Sequence, residues 1–309
     1  MSSLDGPSGR RLLIVHNPVA GRWQERRLSA ALEAARGAGA VVVAVASTSL
    51  RGDARRLALG ADSSRVDVVV AAGGDGTVNE VAAGLLARDD APPALGIVPL
   101  GTVNVLAREI GLAFDAAAVG RALARGAATP IHLGEAAGVS GASAPFVLMA
   151  GAGFDARVVA GVDGALKRRL GKGAYVWRAL AEMARGARAR YRVEIDGVAR
   201  EAASVIVSNA RSYGGSYTLA PGESVRRPVL SVCLFDGGGR ADIVRYGAAL
   251  LMDRLARARG FNVVEAREVS IRASDGAAAP LQIDGDNAMK LPVTIRVAPR
   301  RLTLLMPDA

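Results

Sequence analysis

The chain has 309 residues, of which 50% are hydrophobic and 4% aromatic, and it carries a formal net charge of +10. Its length allows one large domain or two ordinary ones, and its charge favours an anionic partner: nucleic acid, anionic lipid or nucleotide phosphate. The scarcity of aromatic side chains, together with arginines scattered over many predicted helices, argues against nucleic acid.

The first part of the chain alternates between strand-like and helix-like patterns. Apolar runs predict strands at residues 12–15, 41–45, 66–72 and 95–98. Helical periodicity predicts helices at residues 23–36 and 53–59, a third that ends at residue 87, and an alanine-rich one at 115–125. This alternation predicts a doubly wound α/β domain around a parallel sheet.

Polar, glycine-bearing turns follow three of the predicted strands. They are Asn17-Pro18-Val19-Ala20-Gly21, Gly73-Gly74-Asp75-Gly76-Thr77-Val78-Asn79-Glu80 and Gly101-Thr102-Val103-Asn104. Glycine lets the backbone approach a ligand closely, and the N-terminus of the following helix offers unpaired N–H groups to an anion. Because the carboxyl ends of parallel strands meet at one edge of the sheet, we expect the three turns to converge on one phosphate-bearing ligand.

Asp75 lies in the middle of the second turn. A carboxylate repels bare phosphate, so we interpret Asp75 as reaching the nucleotide through a divalent cation. The sequence therefore predicts a site for ATP with Mg²⁺.

Several of these residues also have structural interpretations, which stay open. Asn17 and Gly21 suit an ordinary turn at the end of a strand. Asn104 suits the N-cap of the next helix, and Thr77 with Glu80 suits a capping box.

The pattern changes after residue 125, and strand-like runs dominate the rest of the chain. They lie at residues 146–149, 191–195, 203–207, 229–234, 269–271, 281–283, 293–297 and 302–305. Two helical stretches, at residues 165–190 and 241–259, interrupt them. The uncharged stretch 136–154 is too rich in Gly, Ser and Ala for a membrane span, and we expect two strands joined by a Gly-Ser turn.

Six blocks of the sequence, in their order and spacing, resemble the diacylglycerol kinase catalytic family of soluble bacterial lipid kinases. This family is similar to sphingosine and ceramide kinases and, more distantly, to NAD kinases. The resemblance covers nearly the whole chain, and its blocks are residues 17–21, 73–80, 101–104 with 106–108, 151–155, 208–210 and 283–286.

The resemblance implies two domains. An N-terminal α/β nucleotide-binding domain would span residues 1–128 and include the C-terminal segment 299–309. A β-rich, sandwich-like lipid-substrate domain would span residues 129–298. The implied ATP contacts are Asn17, Pro18, Val19, Ala20, Gly21, Thr48, Gly73, Gly74, Asp75, Gly76, Thr77, Val78, Asn79, Glu80 and Thr102.

The catalytic base implied by the resemblance is the last acid of Asp284-Gly285-Asp286, where the family usually has Asp-Gly-Glu. Asp286 keeps the carboxylate but is one methylene shorter. Asp284 stays open as an alternative base or as a residue that orders the turn. Many family members also hold an accessory structural magnesium ion through an Asp-Gly pair. Arg227-Pro228 replaces that pair here, so we expect this accessory site to be absent.

Residues 167–190 hold eight basic side chains with Tyr175 and Trp177 among them, which indicates either a solvated helix face or a surface that docks on anionic lipid. The single Cys233 excludes an internal disulfide and favours a reducing cytoplasm, and residues 1–9 show no apolar signal core. We therefore expect a cytoplasmic protein that is peripherally associated with the inner face of the cell membrane. We expect no nucleic-acid partner, and a homodimer is left open.

These expectations combine into a lipid kinase that transfers the γ-phosphate of ATP to a lipid hydroxyl. Diacylglycerol is the default substrate by resemblance, with sphingosine, ceramide or phosphatidylglycerol as alternatives. A nucleotide- or lipid-binding regulatory protein with weak catalysis is the alternative of another class, because Asp286 is shorter than the usual acid. A Rossmann oxidoreductase does not fit, since no Gly-x-Gly-x-x-Gly follows the first strand.

Overall fold

The computed structural model describes residues 9–18, 21–160 and 189–307, and every structural statement below concerns these residues. The chain divides into two compact units. The first contains Met1–Ile131 and Arg300–Ala309, and the second is His132–Pro299.

The first unit is an α/β domain around one six-stranded sheet. Its elements, labelled in chain order, are β1 Arg11–His16, α1 Gly21–Gly37, β2 Val41–Ser47, α2 Asp53–Leu59, β3 Val68–Gly73, α3 Asp75–Leu86, β4 Ala94–Pro99, α4 Val105–Glu109, α5 Ala116–Arg125, β5 Ala127–Ile131 and, from the end of the chain, β20 Leu302–Met306. The strand order is β2-β1-β3-β4-β20-β5. All neighbouring strands are parallel except β5, which runs antiparallel to β20.

Burial explains the character of these strands. Every residue of β3 is buried, as expected for a central strand of a parallel sheet whose two faces are covered by helices. The continuous apolar run that predicted this strand is the signature of that environment.

Strand β5 was not among the strands predicted from the sequence. Pro130 lies inside the strand and pairs with Thr303 of β20. Proline lacks an N–H group and is tolerated there because β5 is at the edge of the sheet. The two units divide after Ile131, and the expected boundary at residue 128 falls within β5.

The second unit is a sandwich of two six-stranded antiparallel sheets with added helices. Its elements are β6 Gly134–Gly138, β7 Ser143–Phe146, β8 Met149–Ala152, α6 Phe154–Ala160, β9 Tyr191–Ile195, β10 Val198–Ala202, β11 Ser204–Ser208, β12 Ser212–Tyr213, β13 Tyr217–Thr218, β14 Leu230–Phe235, α7 Arg240–Leu251, a 3-10 helix Leu255–Arg257, β15 Phe261–Ala266, β16 Glu268–Ala273, β17 Pro280–Ile283, β18 Asp286–Lys290 and β19 Val293–Val297.

One sheet has the order β10-β9-β16-β19-β6-β7 and the other β15-β14-β11-β8-β17-β18. Their inner faces share one apolar core, to which Val193 and Ile271 contribute from the first sheet and Val205 and Val232 from the second. The predicted fold class, an α/β domain followed by a β-rich sandwich-like domain, is confirmed.

Two element predictions in the second unit need correction, and one is confirmed. The predicted strand 146–149 is interrupted at Val147 and Leu148, where β7 ends and β8 has not begun. The predicted helix 241–259 ends at Leu251, and Asp253 takes a left-handed φ of 54° before the 3-10 helix. The hairpin expected within residues 136–154 is formed by β6 and β7.

The predicted helical stretch 165–190 lies outside the described residues, apart from its last two positions. Among the helices in the described parts of the chain, none is both long and apolar enough to cross a bilayer.

Candidate functional site

The first group of candidate residues lies at the carboxyl edge of the parallel sheet. β1 lies between β2 and β3 in the sheet. The chain therefore moves to one side of β1 to form β2 and then returns past β1 to form β3. The crevice between β1 and β3, where this direction reverses, is the topological switch point. Asn17 follows β1 at this point. Its backbone N–H donates to the carbonyl of Ala72 at 3.0 Å and its Nδ2 to Thr77 Oγ1 at 3.3 Å. The first two glycine turns therefore meet at the switch point.

The second and third turns pack backbone against backbone. A Cβ atom on Gly74 would lie 3.3 Å from the Cα of Gly101, and a Cβ on Gly73 would collide with the side chain of Thr77. A side chain is thus excluded at Gly73, and even a Cβ atom on Gly74 would press against the turn after β4. The result is a close cradle of backbone, which is what a phosphate-binding turn requires.

Helix α3 begins in this cradle with its N–H groups uncapped by any side chain. Gly74 is the N-cap, and no side-chain hydrogen bond closes the first turn. A 12-residue helix that begins next to a switch point is a favourable place for an anion, because its N-terminus carries partial positive charge.

The capping box considered for Thr77 and Glu80 is not formed. Thr77 lies inside α3, 6% exposed. Glu80 turns to another helix: its carboxylate accepts hydrogen bonds from the backbone N–H groups of Gly52 at 3.0 Å and Ala54 at 3.2 Å, at the N-terminus of α2. The Glu80 carboxylate, which the resemblance implied as an ATP contact, therefore links α3 to α2.

Asp75, the first residue of α3, reaches across to the third turn. Its Oδ1 accepts a hydrogen bond from the N–H of Leu106 at 3.2 Å. Burial raises the pKa of this carboxyl above its ordinary value, although the neighbouring amides of α4 oppose the shift. Asp75 therefore links the second and third turns.

The surroundings of Asp75 also fit a magnesium ion held mainly by a nucleotide. A carboxylate has about four lone-pair sites, so amide contacts leave capacity for a cation. Clusters of three or more His, Cys, Asp or Glu side chains that could hold a metal do not occur in the described parts of the chain. Mg²⁺ usually takes one or two carboxylates and completes its shell with phosphates and water.

Asn104 occupies the N-cap position of α4, with a φ of 52°, but its side chain does not cap the helix. Its Nδ2 donates to the carbonyl of Gly101 at 2.8 Å. Its Oδ1 is buried and has no hydrogen-bond partner among the described residues. Since an orphaned buried acceptor is unfavourable, a ligand donor beside the third turn would satisfy it.

The remaining residues that were predicted to contact the nucleotide differ in their exposure. Pro18, Gly76 and Thr102 are exposed at the turns, whereas Thr48 is buried and its N–H donates to the carbonyl of His16 at 2.8 Å. Val78 is 3% exposed and belongs to the core, so its side chain does not face a ligand. Asn79 is half-buried, and Gly21 begins α1. Val19 and Ala20 lie outside the described residues.

Two polar side chains near the turns were not identified from the sequence. Gln24 donates from Nε2 to the carbonyl of Leu100 at 2.5 Å, and thus ties α1 to the third turn. His16, at the end of β1, is 7% exposed, its Nε2 has no partner, and burial lowers its pKa. No local pattern marks Gln24, because a polar residue on an amphipathic helix is ordinary.

The candidate acids of the second unit lie in and just after the tight turn between β17 and β18. Asp284 has a left-handed φ of 47°, and its carboxylate accepts three backbone N–H groups: Val147 at 2.8 Å, Leu148 at 3.0 Å and Met149 at 2.8 Å. These bonds explain why the predicted strand 146–149 is interrupted. They also favour the turn-ordering interpretation of Asp284 over the base. Asp286 opens β18 and is half-buried.

Buried amides support this turn. Gln282, 1% exposed, accepts the N–H of Gly285 through Oε1 at 2.9 Å. Asn209 is fully buried, and its Nδ2 donates to the carbonyls of His132 and Val147, both at 2.8 Å. The motif residue Asn209 therefore holds the segment that the Asp284 carboxylate also holds.

The place expected to lack an accessory magnesium ion contains an ion pair. Arg227 bonds Glu265 at 2.8 Å and the carbonyl of Gly222 at 2.9 Å. The nearby Glu223 is 4% exposed and accepts the hydroxyl of Ser231 at 2.7 Å. The positive charge at this loop thus comes from the Arg227 guanidinium.

The second unit also contains an apolar cavity of about 260 Å³. Phe154, Ile206 and Phe235 line it from α6 and the sheet, and Ile243, Tyr246 and Leu250 line it from α7. The Tyr246 hydroxyl donates to the carbonyl of Gly260 at 2.8 Å. With this hydroxyl satisfied, the cavity suits a hydrocarbon chain. No local sequence pattern indicated this cavity, because its lining residues are far apart in the chain.

Comparisons with known proteins agree with this picture. The chain matches the model of the diacylglycerol kinase catalytic domain over residues 11–136 and that of the YegS C-terminal NAD kinase beta sandwich-like domain over residues 149–306. It is similar to a diacylglycerol kinase of Bacillus subtilis (28% identity over 302 residues, 96% of this chain and 97% of the relative). It is also similar to one of Mycobacterium tuberculosis H37Rv (30% over 311 residues, 94% and 93%). In fold it is similar to the crystal structure of a diacylglycerol kinase from Bacillus anthracis, with a TM-score of 0.74, 21% identity, and 98% of this chain and 99% of that chain covered.

Proposed function

The chain belongs to the diacylglycerol kinase family of lipid kinases, and we propose that it transfers the γ-phosphate of ATP to the hydroxyl of diacylglycerol, giving phosphatidic acid. Membership of a kinase family implies the use of ATP. The identity of the lipid is the step that goes beyond the family.

The observation that carries the proposal is the convergence of three glycine turns at the switch point of the parallel sheet. Gly73, Gly74 and Gly101 let the second and third turns pack closely, and the N-terminus of α3, which has no side-chain cap, begins in the same cradle. Asn17 and Thr77 fix the spacing of the first two turns through their hydrogen bond. Backbone amides that are held in advance stabilise charge on a transferred phosphoryl group without reorganisation.

Asp75 is the residue that would hold a magnesium ion bound with ATP. Such an ion supplies positive charge that offsets the phosphates. Asp75 itself positions the cradle, because its carboxylate joins α3 to the amide of Leu106. Loss of the acceptor oxygen, as in Asp75→Ala, would loosen two of the three turns at once.

Asp286 is the proposed base for the lipid hydroxyl. Its neighbour Asp284 is engaged by three amides, which leaves Asp286 as the carboxylate of this turn that is suited to accept a proton. The hydroxyl proton would pass to Asp286 as the lipid oxygen attacks the γ-phosphorus of ATP and the bond from that phosphorus to the leaving ADP breaks. Asp284 acts as a positioning residue.

The apolar cavity supports a lipid as the acceptor. Its volume of about 260 Å³ is just below the roughly 300 Å³ at which pockets for drug-sized ligands begin, so it accommodates part of one acyl chain. A sugar or nucleoside acceptor would require polar groups in such a cavity, whereas this lining consists mainly of apolar side chains and glycine.

The test is transfer of labelled γ-phosphate from ATP with Mg²⁺ to a panel of lipids in mixed micelles. Diacylglycerol, sphingosine, ceramide and phosphatidylglycerol would be compared for the wild type, Asp75→Ala and Asp286→Ala. We expect phosphatidic acid from the wild type and at most traces from either variant. Phosphorylation of another lipid would reassign the substrate. Binding of ATP without phosphorylation of any lipid would contradict the proposal and favour a regulatory protein.

A further inference from the structure

Helix α7 exposes large apolar side chains at one side of the apolar cavity. Val244, Leu251 and Met252 are 53%, 66% and 60% exposed, and we call these three side chains the α7 ridge. Val244 and Leu251 are seven residues apart and so lie on the same side of the helix, and Met252 follows directly. Single exposed apolar residues are ordinary, but large apolar side chains grouped on one side of a helix are a candidate surface for a partner.

The ridge is continuous with the cavity through Gly247. Ile243, Gly247 and Leu250 line the cavity. At about 100° per residue, Gly247 lies between Ile243 and the ridge residue Val244 around the helix axis. Gly247 is exposed, and within the described parts of the chain no atom lies within 4 Å of the place that its Cβ would take, so no side chain of this turn stands between the ridge and the cavity.

Positive charge adjoins the ridge. The segment 240–259 contains five arginines and two aspartates. Arg245 and Asp242 pair with each other at 2.8 Å. Beyond the ridge, Arg254 and Arg257 are exposed, and neither guanidinium forms an ion pair or a hydrogen bond within the described parts of the chain. These two charges remain available to an external anion.

We propose that the α7 ridge docks on the anionic surface of a lipid bilayer. The side chains of Val244, Leu251 and Met252 enter the boundary between headgroups and acyl chains, while Arg254 and Arg257 contact lipid phosphates. The inference rests on the proposed function, because docking here would let a lipid pass from the bilayer into the cavity beside Gly247. A purely apolar partner would leave both arginines without counter-charges, so charge complementarity favours the bilayer.

A fluorescent label on the ridge tests the docking directly. The only native cysteine, Cys233, is fully buried, so Leu251→Cys can be labelled selectively with an environment-sensitive dye. We expect a blue shift with vesicles of phosphatidylcholine containing about one third phosphatidylglycerol, and little shift with phosphatidylcholine alone. Leu50→Cys is the matched control, since Leu50 is 76% exposed in the first unit and its label should not respond.

Charge removal gives a second measurement. Arg254→Ala with Arg257→Ala should lower the partition coefficient of the full chain onto the anionic vesicles roughly 30-fold, from about fivefold per arginine. Arg226→Ala with Arg267→Ala removes the same charge from exposed positions elsewhere in the second unit and should leave partitioning nearly unchanged.

Two results would overturn the docking proposal. Vesicle binding without a blue shift at position 251 would place the docking surface elsewhere. A blue shift that depends on protein concentration without vesicles would make a second copy of the chain the occupant. Phosphorylation of a short-chain diacylglycerol in free solution reports separately on the proposed function, because it needs no bilayer. Activity in that assay without a label shift would reject the docking surface alone.

Discussion

Gly101 packs directly on Gly74, so that a Cβ atom on Gly101 would lie 2.5 Å from the Cα of Gly74 and 2.7 Å from Asn104 Oδ1. Both obstacles belong to the turns of the proposed nucleotide site. The two turns can therefore occupy their positions only while Gly101 lacks a side chain.

Gly101→Ala should separate these turns. We expect a loss of stability of about 1–3 kcal/mol, as for overpacked sites, and weaker binding of ATP. Thermal unfolding and ATP titration would measure the two effects. Gly37→Ala is the matched control, because a Cβ there meets nothing within 4 Å. Unchanged ATP affinity in Gly101→Ala would show that the cradle is not the phosphate site.

Asp284 and Asp286 should respond differently to removal of their charge. Asp284→Asn weakens a carboxylate that accepts three amides, so we expect a loss of about 2 kcal/mol or more in the free energy of unfolding. Asp286→Asn should lose less stability but lower kcat by about 10² to 10⁴. Urea unfolding and steady-state kinetics separate the two roles. The reverse pattern would make Asp284 the base.

The carboxyl of Asp75 predicts a pH effect on stability. Its pKa is raised in the folded protein, so the folded state binds this proton more tightly than the unfolded state. The resulting stabilisation is present below about pH 4, the pKa of an unperturbed Asp, and is lost as pH rises through the raised pKa. At pH 7, Asp75→Asn should therefore melt at or above the wild-type temperature while losing activity. The difference in melting temperature should shrink toward pH 4, and a variant that melts lower at pH 7 would contradict the assignment.

Glu80→Ala tests whether this residue acts on structure or on ATP. Removing the acceptor of the Gly52 and Ala54 amides should lower stability by about 1–2 kcal/mol through the N-terminus of α2. The affinity for ATP, measured well below the melting temperature, should change little. A large loss of affinity with normal stability would restore Glu80 as a nucleotide contact.

Filling the apolar cavity should act on the lipid alone. A Cβ on Gly247 meets no atom within 4 Å, so Gly247→Leu can extend into the cavity without a clash and should also favour the helix. We expect about a tenfold higher KM for long-chain diacylglycerol, with short-chain substrates and ATP affected little. Ala241→Leu, on the same helix but away from the cavity, is the control. An equal effect on short and long chains would argue against the cavity as an acyl site.

The sequence predicted the nucleotide edge well because the signal is local. Glycines directly after apolar strands mark backbone that must approach a ligand, and a parallel sheet brings such turns together. Contacts between distant parts of the chain were not predictable in this way. The Asp284 carboxylate accepts hydrogen bonds from backbone amides more than 130 residues away, and the Glu80 carboxylate, on α3, caps the N-terminus of α2.

Other errors arose where one residue dominated the local pattern. Strand β5 was not predicted because it contains Pro130. At the edge of a sheet a strand tolerates a residue that has no N–H group. The apolar run 146–149 satisfied the criteria for a strand, but the Asp284 carboxylate takes its amides instead of a neighbouring strand. The cavity of the second unit had no local signal at all, since it is lined from positions 154 to 255.

Strand β20 has a consequence for how the protein is made. It lies between β4 and β5 in the first sheet, yet it is translated after the whole of His132–Pro299. On the ribosome, the first unit therefore lacks an inner strand until this last part of the chain has been made. Until then, the edges of β4 and β5 that pair with β20 remain unpaired. A nascent chain stalled before residue 302 should therefore depend on chaperones to avoid aggregation through these strand edges.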